Sequence, residues 1–202
     1  MSLRTRRAII LALAAFGLWQ ASAGLYIHAK AWLAQRLIAS AWSSTLAGEH
    51  EVKPWPWADT WPVARLQHLA SRSDLYVLAD ASGRSLAFGP GWLSGSALPG
   101  TIGNSVIAAH RDTHFRFMRS LQIGDELRVQ TVEAGEQQYR VVEMRVIDTR
   151  SDRISFVADE SLITLVTCYP FDAIVPGGPL RFIATARFEP PSADQSTSKL
   201  PI

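Results

Sequence analysis

Leu162-Ile163-Thr164-Leu165-Val166-Thr167-Cys168-Tyr169-Pro170 is the stretch from which the rest of the chain is read. Six apolar or β-branched residues in a row favour a strand. Pro170 has no backbone N–H to give to a ladder, so the strand should stop at Cys168. That puts the only cysteine of the chain at a strand terminus, where loops and neighbouring strands converge. Considered alone, a free cysteine is more often a small buried hydrophobe than a nucleophile.

Outward from this strand, short runs rich in Val, Ile, Leu, Tyr and Phe alternate with Gly, Pro, Asp and Ser. They are Leu75–Ala79, Ser85–Phe88, Val106–Ala109, Glu126–Thr131, Gln138–Asp148 and Leu180–Phe188. Short strands at this spacing describe a mainly β fold, a closed barrel or sandwich of seven to eight strands with short helices. Helical patterning in this region is confined to Val63–Ala70 and Phe115–Leu121. No βαβ alternation argues for a doubly wound sheet, and no internal repeat is visible.

Before the strands the chain has another character. Arg4, Arg6 and Arg7 precede an apolar run from Ala8 to about Ile27 whose only strongly polar member is Gln20. About 20 residues at 1.5 Å each span roughly 30 Å, the thickness of a bilayer core. Arginines before the run and none within it predict a single-pass inner (cytoplasmic) membrane anchor, with the N-terminus in the cytoplasm and the remainder in the periplasm or outside. Ala21-Ser22-Ala23 also resembles a cleavage site, so a removed signal peptide is the alternative. The helical rhythm from His28 to Trp42 extends this helix or forms a juxtamembrane one, and Lys53–Pro62, alternating Pro and Trp, reads as an extended strap. The expected organisation is an anchor over 1–30, a juxtamembrane helix and strap over 31–61, a β-barrel over 62–189 and a disordered tail over 190–202.

The 202 residues are 48% hydrophobic and 19% charged, enough for a packed core. A net charge of +2 with dispersed basic residues gives no reason to expect nucleic acid. With one cysteine no internal disulfide can form, and a lone thiol in an exported chain asks for a reason. His110 supplies one. It ends the apolar run Val106-Ile107-Ala108-Ala109, so it too stands at a strand end beside a loop, the arrangement from which Cys–His pairs are built. His114 follows in that loop and reads as a solvated surface residue; His28, His50 and His68 lack comparable framing. Arg181 opens the run Arg181–Ala186, either as a charge at a barrel rim or as a donor to an anionic oxygen.

These residues carry a family resemblance. Thr164-Leu165-Val166-Thr167-Cys168 resembles the TLxTC signature of sortases, Ala109-His110-Arg111-Asp112-Thr113 their histidine segment, and Leu180-Arg181-Phe182-Ile183 their arginine strand, in the family's order. The Pro54-Trp55-Pro56-Trp57-Ala58-Asp59-Thr60 segment, Tyr169-Pro170-Phe171 and the lack of a second, C-terminal span are similar to the Gram-negative (class GN) sortases. The resemblance implies a cysteine transpeptidase with His110, Cys168 and Arg181 as catalytic groups and Ala109, Asp112, Thr167 and Tyr169 beside them as substrate contacts. It implies a partner exported with an LPxTG-like sorting signal, an amine acceptor on the cell surface, and a thioester on Cys168. No cofactor is expected, and no acidic cluster suggests a metal.

Two rivals remain at this level. The peptidoglycan L,D-transpeptidases place histidine and cysteine close together in a glycine-containing motif, unlike His110 and Cys168. A non-enzymatic anchored barrel would hold Cys168 buried and inert.

Overall fold

The structure, a computed structural model, describes residues 3–175 and 177–190. A single helix, α1 (Leu3–Leu46), precedes eight strands: β1 (Pro62–His68), β2 (Ser73–Leu78), β3 (Gly91–Trp92), β4 (Gly103–Ala108), β5 (Glu126–Thr131), β6 (Gly135–Asp148), β7 (Ser161–Cys168) and β8 (Leu180–Glu189). The N-terminal helix is long and apolar enough to cross a membrane. Residues through Leu37 and those from Ile38 onward form two units. Within the second, Ile38, Ala41, Trp42 and Thr45 are buried. They share one helix face, and the Trp42 indole N–H donates to Gln130 on β5 at 3.4 Å.

The strands close into a barrel in the order β1-β2-β3-β4-β7-β8-β6-β5. Two neighbouring pairs run parallel, β2 with β3 and β4 with β7; the others are antiparallel. The expected mainly β, closed barrel is therefore the fold, at eight strands. Its interior is filled by Leu66, Val77, Ile107, Leu127, Val129, Tyr139, Ile163 and Leu165, all fully buried. Strand β4 is buried along nearly its whole length because the connection after β6 crosses its outer side. There the Phe156 carbonyl accepts the Asn104 N–H at 3.1 Å and the Ser155 carbonyl accepts the Asn104 side-chain amide at 2.7 Å.

Two segments depart from the sequence expectation. Val63–Ala70, expected to be helical, lies mostly in β1, whose burial alternates residue by residue. Pro62, Ala64, Leu66 and His68 face inward, and the inward histidine disguises the alternation. His68 is satisfied there by Ser71 Oγ at 2.7 Å and Asp125 Oδ2 at 3.2 Å, and it stacks on Phe117. Ser85–Phe88, expected to be a strand, contains a 3-10 turn at Ser85–Ala87. Asp80 holds that turn, accepting from Ser85 Oγ at 2.7 Å and from the Ser82 N–H at 2.6 Å.

The two-residue strand β3 went unforeseen. Gly91 opens it where a Cβ would meet the Asp80 carbonyl oxygen at 2.3 Å, so only glycine admits the two backbones to one another. Phe115–Leu121, expected to be helical, forms the 3-10 turn Arg116–Ser120. The expected tail beyond Pro190 lies outside the described residues.

Candidate active site

Three adjoining strands end at one rim. β7 pairs with β8 so that Cys168 stands directly opposite Arg181. Residues opposite one another in an antiparallel pair project to the same side with Cβ atoms about 4.5–5.5 Å apart. On the other flank, β4 and β7 run parallel with Ala108 level with Val166. Two residues past these positions lie Cys168, the last residue of β7, and His110, which follows the end of β4. Alternation fixes the directions: Ala109 and Thr167 are buried, so the next residues turn outward. His110 is exposed, and Cys168 and Arg181 are half-buried. The thiol thus has the imidazole strand on one side and the guanidinium strand on the other.

Of the four residues expected beside the site, two are inside. The Thr167 hydroxyl donates to the Ala109 carbonyl at 2.8 Å and the Ala109 N–H donates to the Val166 carbonyl at 3.1 Å. Ala109 and Thr167 therefore lock the ends of β4 and β7 together, and their side chains offer no surface to a ligand. Asp112 is exposed, and Tyr169 is half-buried with its N–H on the Leu180 carbonyl at 3.1 Å, which carries the β7–β8 pairing one step past the cysteine. The ring of Tyr169 packs with Phe171 and Phe182 at centroid distances of 5.9 and 6.4 Å.

The guanidinium of Arg181 donates through one amino group to the carbonyls of Gly178 and Leu180, at 2.6 and 2.8 Å. Nε–H and the second amino group have no partner among the described residues. The connection between β7 and β8, to which Gly178 belongs, carries Ile174 and Val175, 97% and 80% exposed.

The sequence reading passed over Arg111. Its guanidinium donates to Asp112 at 2.9 and 3.0 Å, to the Ala173 carbonyl at 2.9 Å and to the Pro170 carbonyl at 2.5 Å. One side chain thus ties the residue after His110 to the chain after Cys168. The hydrogen bonds to Asp112 raise the Arg111 pKa, and those same bonds hold the Asp112 carboxyl below its usual range, aided by His110 and Arg116. The sequence signal was only an arginine next to the histidine; its acceptors, Pro170 and Ala173, are remote in the chain.

His114 is also different from its expectation. It is half-buried rather than solvated, and burial first and His110 second push its pKa down, against a hydrogen bond to the Phe88 backbone. A groove of about 700 Å³ lies elsewhere, against Trp61, Val63, Trp92 and Leu98, and neither His110, Cys168, Arg181 nor Arg111 lines it. Among the described residues no three His, Cys, Asp or Glu side chains gather as a metal site would need.

A closed barrel with its cysteine at the end of β7, opposite Arg181 on β8 and beside the strand that leads to His110, defines a class of cysteine-bearing β-barrel. The sortase domain family matches residues 68–189. The chain belongs to the sortase family. It is similar to Sortase D of Bacillus subtilis (strain 168), 32% identical over 112 residues. That match spans 55% of this chain and 56% of the relative, so the chain covers about half of that relative's length. Among solved structures it resembles a Clostridium perfringens Sortase D5 transpeptidase at 25% identity and TM-score 0.57, covering 64% of this chain and 80% of that one. Sortase C-1 of Streptococcus pneumoniae is 27% identical with TM-score 0.56, over 64% and 67% of the two chains. Sortase A of Corynebacterium diphtheriae, at 18% identity and TM-score 0.59 over 80% and 86%, shares the fold.

Proposed function

We propose that this sortase is a membrane-anchored cysteine transpeptidase that cleaves an LPxTG-like C-terminal sorting signal of an exported protein and transfers the acyl part to an amine acceptor on the cell surface. The observation that carries the reading is the position of Cys168 between the β4 end that bears His110 and the β8 residue Arg181.

In the first half-reaction the Cys168 thiolate attacks the threonine carbonyl carbon of the signal. The C–N bond breaks, the His110 imidazolium gives its proton to the departing amine, and a thioester remains. In the second, an acceptor amine attacks the thioester, His110 takes its proton, and the thiolate leaves. The N–H groups of Arg181 that have no partner among the described residues suit the oxygen that becomes negative in both tetrahedral intermediates. Arg111 holds the chain after Cys168 in place through its hydrogen bonds to the Pro170 and Ala173 carbonyls. Asp112 and Tyr169 meet the substrate, and Ala109 and Thr167 support the pair from within.

The anchor is α1, with Arg4, Arg6 and Arg7 on the cytoplasmic side and the barrel outside the inner membrane. Confinement of enzyme and signal to one membrane surface raises their effective concentration. The class GN assignment rests on the Pro/Trp segment Lys53–Pro62 and on Tyr169-Pro170-Phe171.

Intact-mass spectrometry tests the chemistry. The full chain in detergent micelles is mixed with LPxT-type peptides, beside its Cys168→Ala variant. An acyl adduct on the wild type alone is the expected result, and its mass identifies the leaving group. No adduct with any peptide, together with a thiol that resists alkylation in the folded state, overturns the reading in favour of an inert cysteine.

A further inference from the structure

The segment after His110 builds a second feature. Arg111, Asp112, Arg116, Arg119 and Phe171 line a pocket of about 260 Å³. Phe171 comes from the connection just past Cys168, and the other four from the chain between β4 and β5. Three guanidiniums face one carboxylate there, and that carboxylate is already engaged by Arg111. Arg116 and Arg119 have no carboxylate within ion-pair distance among the described residues. They stand three apart on the 3-10 turn Arg116–Ser120, and in such a turn residues three apart eclipse one another. Two exposed like charges thus stand side by side in a pocket that Phe171 also lines, and the one carboxylate among its lining residues, Asp112, is already held by Arg111. Paired guanidiniums present the fork that matches a carboxylate.

The location selects the reactant. His110 handles the proton of the nitrogen that leaves and of the nitrogen that enters, so a group bound along its own segment belongs to the nitrogen side of the reaction. The departing amine is part of a donor already held through its signal. The entering amine arrives as a separate molecule and needs binding energy of its own. We infer that this pocket is the acceptor subsite, and that the acceptor bears a carboxylate a short distance from its reactive amine. The inference rests on the transpeptidase reading above.

The test uses the full chain in detergent micelles with one LPxT-type donor and matched acceptors: Gly-Glu amide against Gly-Gln amide, and triglycine against triglycinamide. Formation of the acyl-enzyme is followed by intact mass in the same samples. In at least one pair the acceptor with the carboxylate should be used about tenfold better at low salt, the worth of a charge-assisted pair of hydrogen bonds. The preference should shrink in 0.5 M NaCl, where screening is strong, and should fall towards unity in Arg116→Gln/Arg119→Gln. Equal use of both members of every pair by the wild type overturns the acceptor subsite while leaving the transpeptidase intact, as does a preference that survives the double substitution. Absence of any acyl-enzyme on the wild type overturns the transpeptidase reading and the subsite with it.

Discussion

Cys168 ends β7, Arg181 lies opposite it near the start of β8 and His110 follows β4, and small changes there should be legible in kinetics. Arg181→Ala should lower kcat/KM by about 10²–10³, as removal of an oxyanion donor does, with Arg181→Lys recovering part through charge alone. A required thiolate–imidazolium pair gives a bell-shaped kcat/KM against pH; a flat profile from pH 5 to 10 excludes it. His114 makes a separate, stability-level contribution. Its folded pKa lies below the unfolded value because of burial and the neighbouring His110. The unfolded chain therefore binds the proton more readily, and stability is present above about pH 6.5 and lost as pH falls below it. Urea midpoints at pH 7.5 and 5.5 should diverge more in wild type than in His114→Gln.

At the scale of elements, the alignment of β4 with β7 depends on side chains that bridge distant segments. The Thr164 hydroxyl donates to Asn104 at 2.8 Å, and Asn104 in turn reaches the connection that covers β4. Asn104→Ala removes the closer partner of the buried Thr164 hydroxyl and the tie to the Ser155 carbonyl, and should cost about 1–3 kcal/mol in chemical denaturation. Arg111 does the same for the rim. Arg111→Ala should speed amide hydrogen exchange at Phe171–Ala173 and slow acylation. Arg111→Lys, which keeps the charge but not the fork, should fall between the two. Strand β7 was legible because all its cues are local: a β-rich run closed by proline. Strand β1 was not, because its alternation ends on His68, a polar residue that becomes an acceptable core residue only when Ser71 and Asp125 meet it.

For the whole molecule, the boundary between the helix and the barrel is a matter of packing rather than of hydropathy. α1 runs unbroken from the apolar N-terminal stretch to Leu46, yet its last turns bury Ile38 and Trp42 in the same unit as the strands. Burial of a large apolar side chain is worth about 1.5–3 kcal/mol. A chain that begins at Ile38 should therefore be more stable than one that begins at His50, by a difference readable as several degrees in Tm or a shifted urea midpoint. Equal stabilities would show that these turns add nothing to the barrel.

The amino-acid sequence by itself determined the apolar N-terminal helix and the mainly β barrel, and it singled out Cys168, His110 and Arg181 as the proposed working groups, because each is written in local periodicity or in a contiguous motif. Tertiary structure alone decided that Ala109 and Thr167 turn inward, that Arg111 fastens the chain after Cys168, and that Arg116 and Arg119 share a pocket with Phe171. Those facts depend on strand register and on contacts between residues some 50–60 positions apart, such as Arg111 with Pro170 and Thr167 with Ala109. No window along the chain contains both partners of such a contact, so only closure of the barrel brings them together.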